Sequence, residues 1–132
     1  DSMFTVDGEV FGKPHTPDVA RERWLRQRGQ EGVLHSGHSL VHCVNGKIVA
    51  SAGGPTATTV RFAKDLTDQE IDAYIATEEP LQVAGAFTID AKGAGFIQSV
   101  DGDTYTVVGL SVSKLRQLVR QLGFSFTDLW DY

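Results

Sequence analysis

The chain has 132 residues, 41% hydrophobic and 22% charged, which gives one domain a real core and excludes a disordered protein. Its net charge of −5 argues against non-specific nucleic-acid binding, and its single cysteine, Cys43, excludes an intramolecular disulfide framework and fits a reducing, cytoplasmic setting. No apolar run approaches the roughly 20 residues of a membrane span, and no signal peptide is read.

The first stretch, Asp1 to Pro14, reads as a hairpin. Met3 to Val6 is an apolar run, Asp7-Gly8 is a type I′ turn signature, and Glu9, Val10 and Phe11 return as a second strand closed by Gly12-Lys13-Pro14. Antiparallel strands hold paired residues about 5 Å apart, so Asp1 and Lys13 are expected side by side at one rim of a sheet. An acid beside a lysine suits phosphate chemistry: the carboxylate holds a divalent metal or a water, and the ammonium neutralises phosphate oxygens. The same residues also read as a surface hairpin whose ends are charged. Because Asp1 opens directly onto a strand, the chain is expected to be a piece of something longer.

Thr16 caps the next element, Pro17 takes its first helical position, and Asp18 suits its positive end. Val19, Ala20, Trp24 and Leu25 form the apolar side of this helix, Arg21, Glu22, Arg23 and Arg26 its solvated side, and Gly29 ends it. Gly32 to Val44 is a strand, Asn45-Gly46 a hairpin turn, and Lys47 to Ser51 the return strand. Strand alternation puts His38 and His42 on one face and His35 on the other. They lack an acidic or cysteine partner at the right period, so they are expected to be surface histidines rather than zinc ligands. Cys43, on the same strand, is expected as a packed core thiol.

Ala52-Gly53-Gly54-Pro55 reads as a loop, and Thr56 to Ala63 as a strand with Arg61 opposite Val60 and Phe62. Thr67 and Glu70 form a capping box for a short helix buried through Ile71, Tyr74 and Ile75, and Glu78-Glu79-Pro80 stops it. Leu81 to Gly95 is placed as a strand region dense in glycine and alanine, which serves close packing and a ligand cradle equally well. Asp90 and Lys92 are its only charges. Phe96 to Val100 is a strand, Asp101-Gly102-Asp103 a turn, and Thr104 to Gly109 extended. Ser111 caps a last helix with a stripe of Leu115, Leu118, Val119 and Leu122, and Phe124 to Tyr132 is expected as an aromatic tail packed on the body. The order predicts an α/β or α+β fold, a mixed sheet with helices packed on it.

Several blocks recur together: Asp1-Ser2 with Gly12-Lys13-Pro14, Ser36-Gly37, Thr58 to Phe62, Glu70-Ile71 with Tyr74, Glu79-Pro80-Leu81, Ala84 to Asp90, and Val107 to Leu110. In this order and spacing the chain resembles the Maf family, septum-formation-type proteins that act as nucleoside triphosphate pyrophosphatases. The resemblance implies that residues 1–132 are a single Maf-like domain, the C-terminal portion of a longer one, with a two-lobed α/β fold, a central mixed sheet and a cleft. It implies hydrolysis of a nucleoside triphosphate to monophosphate and diphosphate with Mg²⁺ or Mn²⁺, as housecleaning of non-standard nucleotides and linked to cell division. Asp1 falls on the family's proton acceptor and metal-holding aspartate, Lys13 on its Gly-Lys-Pro lysine, and Ser2 and Asp90 on positions that select the base. A homodimer is also implied.

Three departures follow. The family's Ser-x-Ser-x-Arg-Arg loop and a further lysine would lie upstream of Asp1, so this chain alone is expected to be poorly active. Asp90 replaces a glutamine, and a carboxylate offers no amide donor. Thr106 stands where asparagine is common. The alternative function is a non-catalytic nucleotide-binding or septum-regulating module on the same fold.

Overall fold

Two positive-φ turns set the sheet. Asp7 (φ 49°) and Gly8 (φ 78°) join β1 (Ser2–Val6) to β2 (Glu9–Val10), and Asn45 (φ 52°) and Gly46 (φ 78°) join β3 (Glu31–Val44) to β4 (Lys47–Phe62). Both are the mirror-image turns that match strand twist. With β5 (Ile97–Asp101) the order is β2-β1-β3-β4-β5. The structure, a computed structural model, describes residues 1–130. Asp131 and Tyr132, the end of the expected tail, lie outside the described residues.

The α/β class is as expected, but every described strand pairing is antiparallel rather than mixed. The tight turns force that sense on two of the four pairings. One sheet face carries Phe4, Leu34, Val60 and Phe62, all buried. Trp24 packs on this face against Phe62. The other bears exposed Met3, His35 and Arg61, the arrangement an antiparallel sheet allows.

Helix α1 (Pro17–Gln27) begins as read, with the Thr16 hydroxyl accepting from the Val19 N–H. Its buried side is Ala20, Trp24 and Gln27, while Leu25 is exposed and Val19 only partly covered. Gln27 was missed because a buried amide needs a partner that composition does not reveal; its Nε2 donates to the Gly85 carbonyl at 2.9 Å. On the solvated side, Arg21 pairs with Asp72 at 2.8 Å, Arg28 with Asp68 at 2.6 Å and Arg26 with Glu9. Helix α2 (Asp68–Ala76) has the full capping box and buries Ile71, Tyr74 and Ile75. The core is a run of edge-to-face rings: Trp24 meets Phe62 at 5.0 Å, Phe96 at 5.4 Å and Tyr74 at 5.9 Å, and Phe62 meets Phe87 at 5.1 Å.

Three expectations fail for identifiable reasons. Ala52 to Pro55 is not a loop; β4 runs through it, pairing Gly53 with Ser39 and Pro55 with Gly37. The Gly37 N–H donates to Asp1 on the β1 side. The Gly37–Pro55 pair is therefore a non-hydrogen-bonded one, and the missing proline N–H leaves no gap in the ladder. Thr104 to Gly109 is not extended; α3 (Thr104–Val108) forms there because Asp103 caps the Tyr105 N–H and Gly109 (φ 134°) ends it, overriding β-branched propensity. The stretch 81–95, placed with the strands in the predicted order, instead makes 3₁₀ turns at Glu79–Gln82, Ala84–Ala86 and Lys92–Phe96.

Ser111 caps α4 (Val112–Gln121), which buries Leu118 and Val119. Beyond Ser36 and Gly37, β3 loses β1 as a neighbour, and before Thr59 β4 lacks β5, so the sheet narrows to a two-stranded ribbon backed by α4. Cys43 sits near the ribbon's tip and is exposed, not a core thiol. The aromatic tail is likewise open: Phe124, Leu129 and Trp130 are exposed, although Phe124 meets the edge of His42 at 4.9 Å. Among the described residues no helix is long and apolar enough to cross a membrane.

Candidate active site

The first hairpin does what its residues require of it. After β2 the Phe11 N–H still donates to the Phe4 carbonyl, so the return strand stays beside β1 until Gly12. The guanidinium groups of Arg23 and Arg26 lie over the Phe11 ring at 5.1 and 5.0 Å, and Arg23 donates to the Gly12 carbonyl at 3.1 Å. Pro14 is buried, and the His15 N–H donates to Leu81. Lys13 is thus an exposed side chain on a backbone fixed at both sides, with no ion-pair partner among the described residues.

Asp1 and Ser2, from the start of β1, and Lys13 line one cavity of about 330 Å³. Its second wall is the turn-rich segment, through Gln82, Phe87, Thr88 and Asp90. Its third is the end of α3, from Val107 to Gly109. All four residues singled out from the sequence, Asp1, Ser2, Lys13 and Asp90, therefore face the same space, the cleft that the resemblance implied. The glycine-rich segment serves both of its readings: it packs closely and it lines the cavity.

Asp1 has one oxygen engaged, Oδ1, which accepts the Ser2 N–H at 2.9 Å. The other is left for a water proton or a cation. The Ser2 and Ser36 hydroxyls are 2.5 Å apart, and Ser36 reaches the Thr106 carbonyl at 3.4 Å, which ties β1, β3 and α3 together beneath the cavity. Thr106 itself is buried against Thr56, 3.0 Å between hydroxyls, so this departure from the family pattern lies at a structural joint and not on the cavity wall.

A further residue supports the Asp90 wall and was not singled out by sequence reasoning. The Glu79 carboxylate accepts from the Tyr74 hydroxyl at 3.0 Å, the Thr88 hydroxyl at 2.5 Å, the Gly93 N–H at 3.2 Å and the Lys92 N–H at 3.4 Å. Desolvation pushes its pKa up, but the hydrogen bonds from Thr88, Gly93, Tyr74 and Lys92 together outweigh this and hold it below the usual carboxylate range. The tether is therefore intact above the ordinary carboxylate pKa and is lost only as pH falls through the lowered one. A side chain at Gly93 would meet the Thr88 carbonyl at 2.5 Å and the Tyr74 hydroxyl at 2.6 Å, so only glycine permits this closure. The sequence showed Glu79 as a helix stop and as part of the Glu79-Pro80-Leu81 block, with no role in the site.

Tyr74 shares this network. Burial, with the Glu79 carboxylate beside it, pushes its phenol up to about 12, against hydrogen bonds from Thr88 that act the other way. A tyrosinate titration in the near ultraviolet should show a step near pH 12 that Tyr74→Phe removes; loss of no such step would contradict the buried phenol.

Asp1 and Asp90 supply carboxylates to the cavity. A Mg²⁺-type ion draws one or two carboxylates from protein and the rest from phosphate and water, so the cavity fits it. A zinc cage does not fit: among the described residues no three His, Cys, Asp or Glu converge. Of the three strand histidines only His35 is exposed at the surface as expected; His38 and His42 are half-buried. His35 lies on the open face, His42 meets Phe124, and the His38 Nε2 accepts the Ser111 N–H at 3.0 Å, next to α4 rather than the cavity.

A family model described as Maf-like protein matches residues 1–122. The chain belongs to the Maf-like family. It is 57% identical over 131 residues to a protein of Leifsonia xyli subsp. xyli named nucleoside triphosphate pyrophosphatase, covering 99% of the Maf-like chain and 60% of that protein. It is 46% identical to a protein of the same name from Nocardia farcinica, covering 98% of the chain and 61% of the relative. A third, from Saccharopolyspora erythraea, is 48% identical over 98% of the chain and 62% of its own length. The Maf-like chain thus spans about three fifths of the length of these curated relatives.

Proposed function

We propose that the chain carries the hydrolytic face of a nucleoside triphosphate pyrophosphatase. The observation that carries this is the convergence of Asp1, Ser2, Lys13 and Asp90 on one cavity. In the reaction a water oxygen bonds to the α-phosphorus, the bond from that phosphorus to the bridging oxygen breaks, and diphosphate leaves with the electron pair. The free oxygen of Asp1 takes the water proton. Lys13 offsets charge on the phosphate oxygens, and its lack of a protein ion pair leaves it available to them. Ser2, held by Ser36, and Asp90 face the base. A divalent ion held by Asp1 together with the substrate phosphates would supply charge neutralisation on a substrate of about four negative charges.

Asp90 accepts hydrogen bonds and donates none when ionised, so bases presenting N–H groups suit it. The homodimer and the link to cell division rest on the family resemblance, and the cytoplasmic setting on the single cysteine.

The test is product analysis with the full-length gene product, a panel of ribo- and deoxynucleoside triphosphates, and Mg²⁺ or Mn²⁺. Nucleoside monophosphate and diphosphate should appear in equal amounts and only with metal. Release of orthophosphate would refute the assignment. Nucleotide binding without turnover would favour the non-catalytic module.

A further inference from the structure

The segment that forms the second wall of the cavity is fastened at two places. Its first half is held from α1: the Trp24 indole N–H donates to the Ala86 carbonyl at 2.7 Å, and Gln27 donates to Gly85. The Gly85 N–H in turn donates to Phe11. None of these bonds reaches the half that bears Asp90. That half is fastened through Glu79, with Tyr74 also holding the Thr88 N–H. Glu79 takes Thr88 on one side of Asp90 and Lys92 and Gly93 on the other. Three residues, Ile89 to Ala91, span the gap between the tied ends, and Asp90 is the middle one.

We propose that Glu79 is a positioning residue for the specificity wall, which closes the loop around Asp90 and so fixes how the cavity discriminates among nucleobases. The inference rests on the nucleotide reading of the cavity. Three features of the network suit this role. Both ends of a short loop converge on the same carboxylate, so its freedom is removed from both sides at once. The Tyr74 hydroxyl donates to Glu79 and accepts the Thr88 N–H at 3.2 Å, which locks the carboxylate to α2. Glu79 does not line the cavity, so it acts on a ligand through the loop and not by contact. The triphosphate end is held elsewhere, by Asp1 and Lys13 on the β1 side. Loss of Glu79 should therefore disturb base selection without disturbing affinity for the phosphates.

Two variants of the full-length gene product test this. Glu79→Ala removes every acceptor. Glu79→Gln keeps one oxygen for the Tyr74, Thr88 and Gly93 donors, but sets an amide N–H₂ against the Lys92 N–H. Dissociation constants are measured for four nucleoside triphosphate analogues that differ in base and carry a methylene bridge between the α- and β-phosphorus, which the reaction cannot cleave, and for inorganic tripolyphosphate, each with Mg²⁺. In Glu79→Ala the ratio between the best and worst bases should change by about 10-fold, while tripolyphosphate affinity holds. Glu79→Gln should change the ratio in the same direction and by less. Unaltered base ratios in the folded variants would overturn the role of Glu79. An equal loss for all ligands, tripolyphosphate included, would overturn it too, since that reports a general collapse. If Glu79→Ala does not fold, Glu79→Gln alone decides between these outcomes. If the unsubstituted protein binds no nucleotide, the reading of the cavity fails, and that failure is separate from the tether, which amide exchange at Lys92 and Gly93 reports in the absence of ligand.

Discussion

Asp1→Asn in the full-length gene product should lower triphosphate hydrolysis by about 10²- to 10⁴-fold, the range for loss of a general base. The substitution is nearly isosteric. The amide oxygen can still accept the Ser2 N–H, as Oδ1 does now at 2.9 Å, so the local backbone has no reason to move. What disappears is the basic oxygen facing the cavity, because an amide nitrogen takes no proton at neutral pH. Nucleotide binding without metal should stay equal or become tighter, since a negative charge near the phosphates has gone. Rate and affinity would then separate, which loss of fold cannot imitate. Unchanged turnover would remove Asp1 from the mechanism.

The second large effect concerns the core. Trp24→Ala should destabilise the protein by about 3–5 kcal/mol, the usual cost of truncating a buried large aromatic. Trp24 is fully buried and edges three other rings. Its indole N–H also satisfies the Ala86 carbonyl at 2.7 Å, which the alanine variant leaves unpaired. A domain of this size holds only about 5–15 kcal/mol in all, so much of its margin would go. Trp24→Phe separates the two contributions: it keeps a ring but strands the carbonyl, at a cost of about 1–3 kcal/mol. Urea unfolding midpoints at constant slope give both values. A shift for Trp24→Ala below about 0.5 kcal/mol, the scale of a surface substitution, would refute the packing argument.

The parts of this fold that were legible from residues were those with local causes. Asp7-Gly8 and Asn45-Gly46 adopt positive φ wherever they fall between strands, and the Thr67–Glu70 box carries its own partners. The failures were decided by residues outside the segments themselves. Gly53 to Pro55 has the chemistry of a loop, and only the facing residues Gly37 to Ser39 hold it extended. Thr104 to Val108 has the propensity of a strand, and two flanking residues, Asp103 and Gly109, decide otherwise. In the site, the nearness of Asp1 and Lys13 was readable because a hairpin relates its ends by simple geometry, whereas their roles, like that of Asp90, came only through family resemblance. The role of Glu79 was out of reach: its donors lie 5 residues behind it and 9 and 14 ahead, a spacing with no period.

The narrowing of the sheet has a mechanical consequence. Near its base each of β1, β3 and β4 is laced to a strand on both flanks, but toward Asn45 the two remaining strands have only one another. Unzipping the far end therefore breaks one ladder where unzipping the base would break several, and deuterium should enter the amides near Ile48 well before those near Val60. Beyond Gly37 the far end reaches the groove that Asp1 and Lys13 share along the β3–β4 ladder and not through β1.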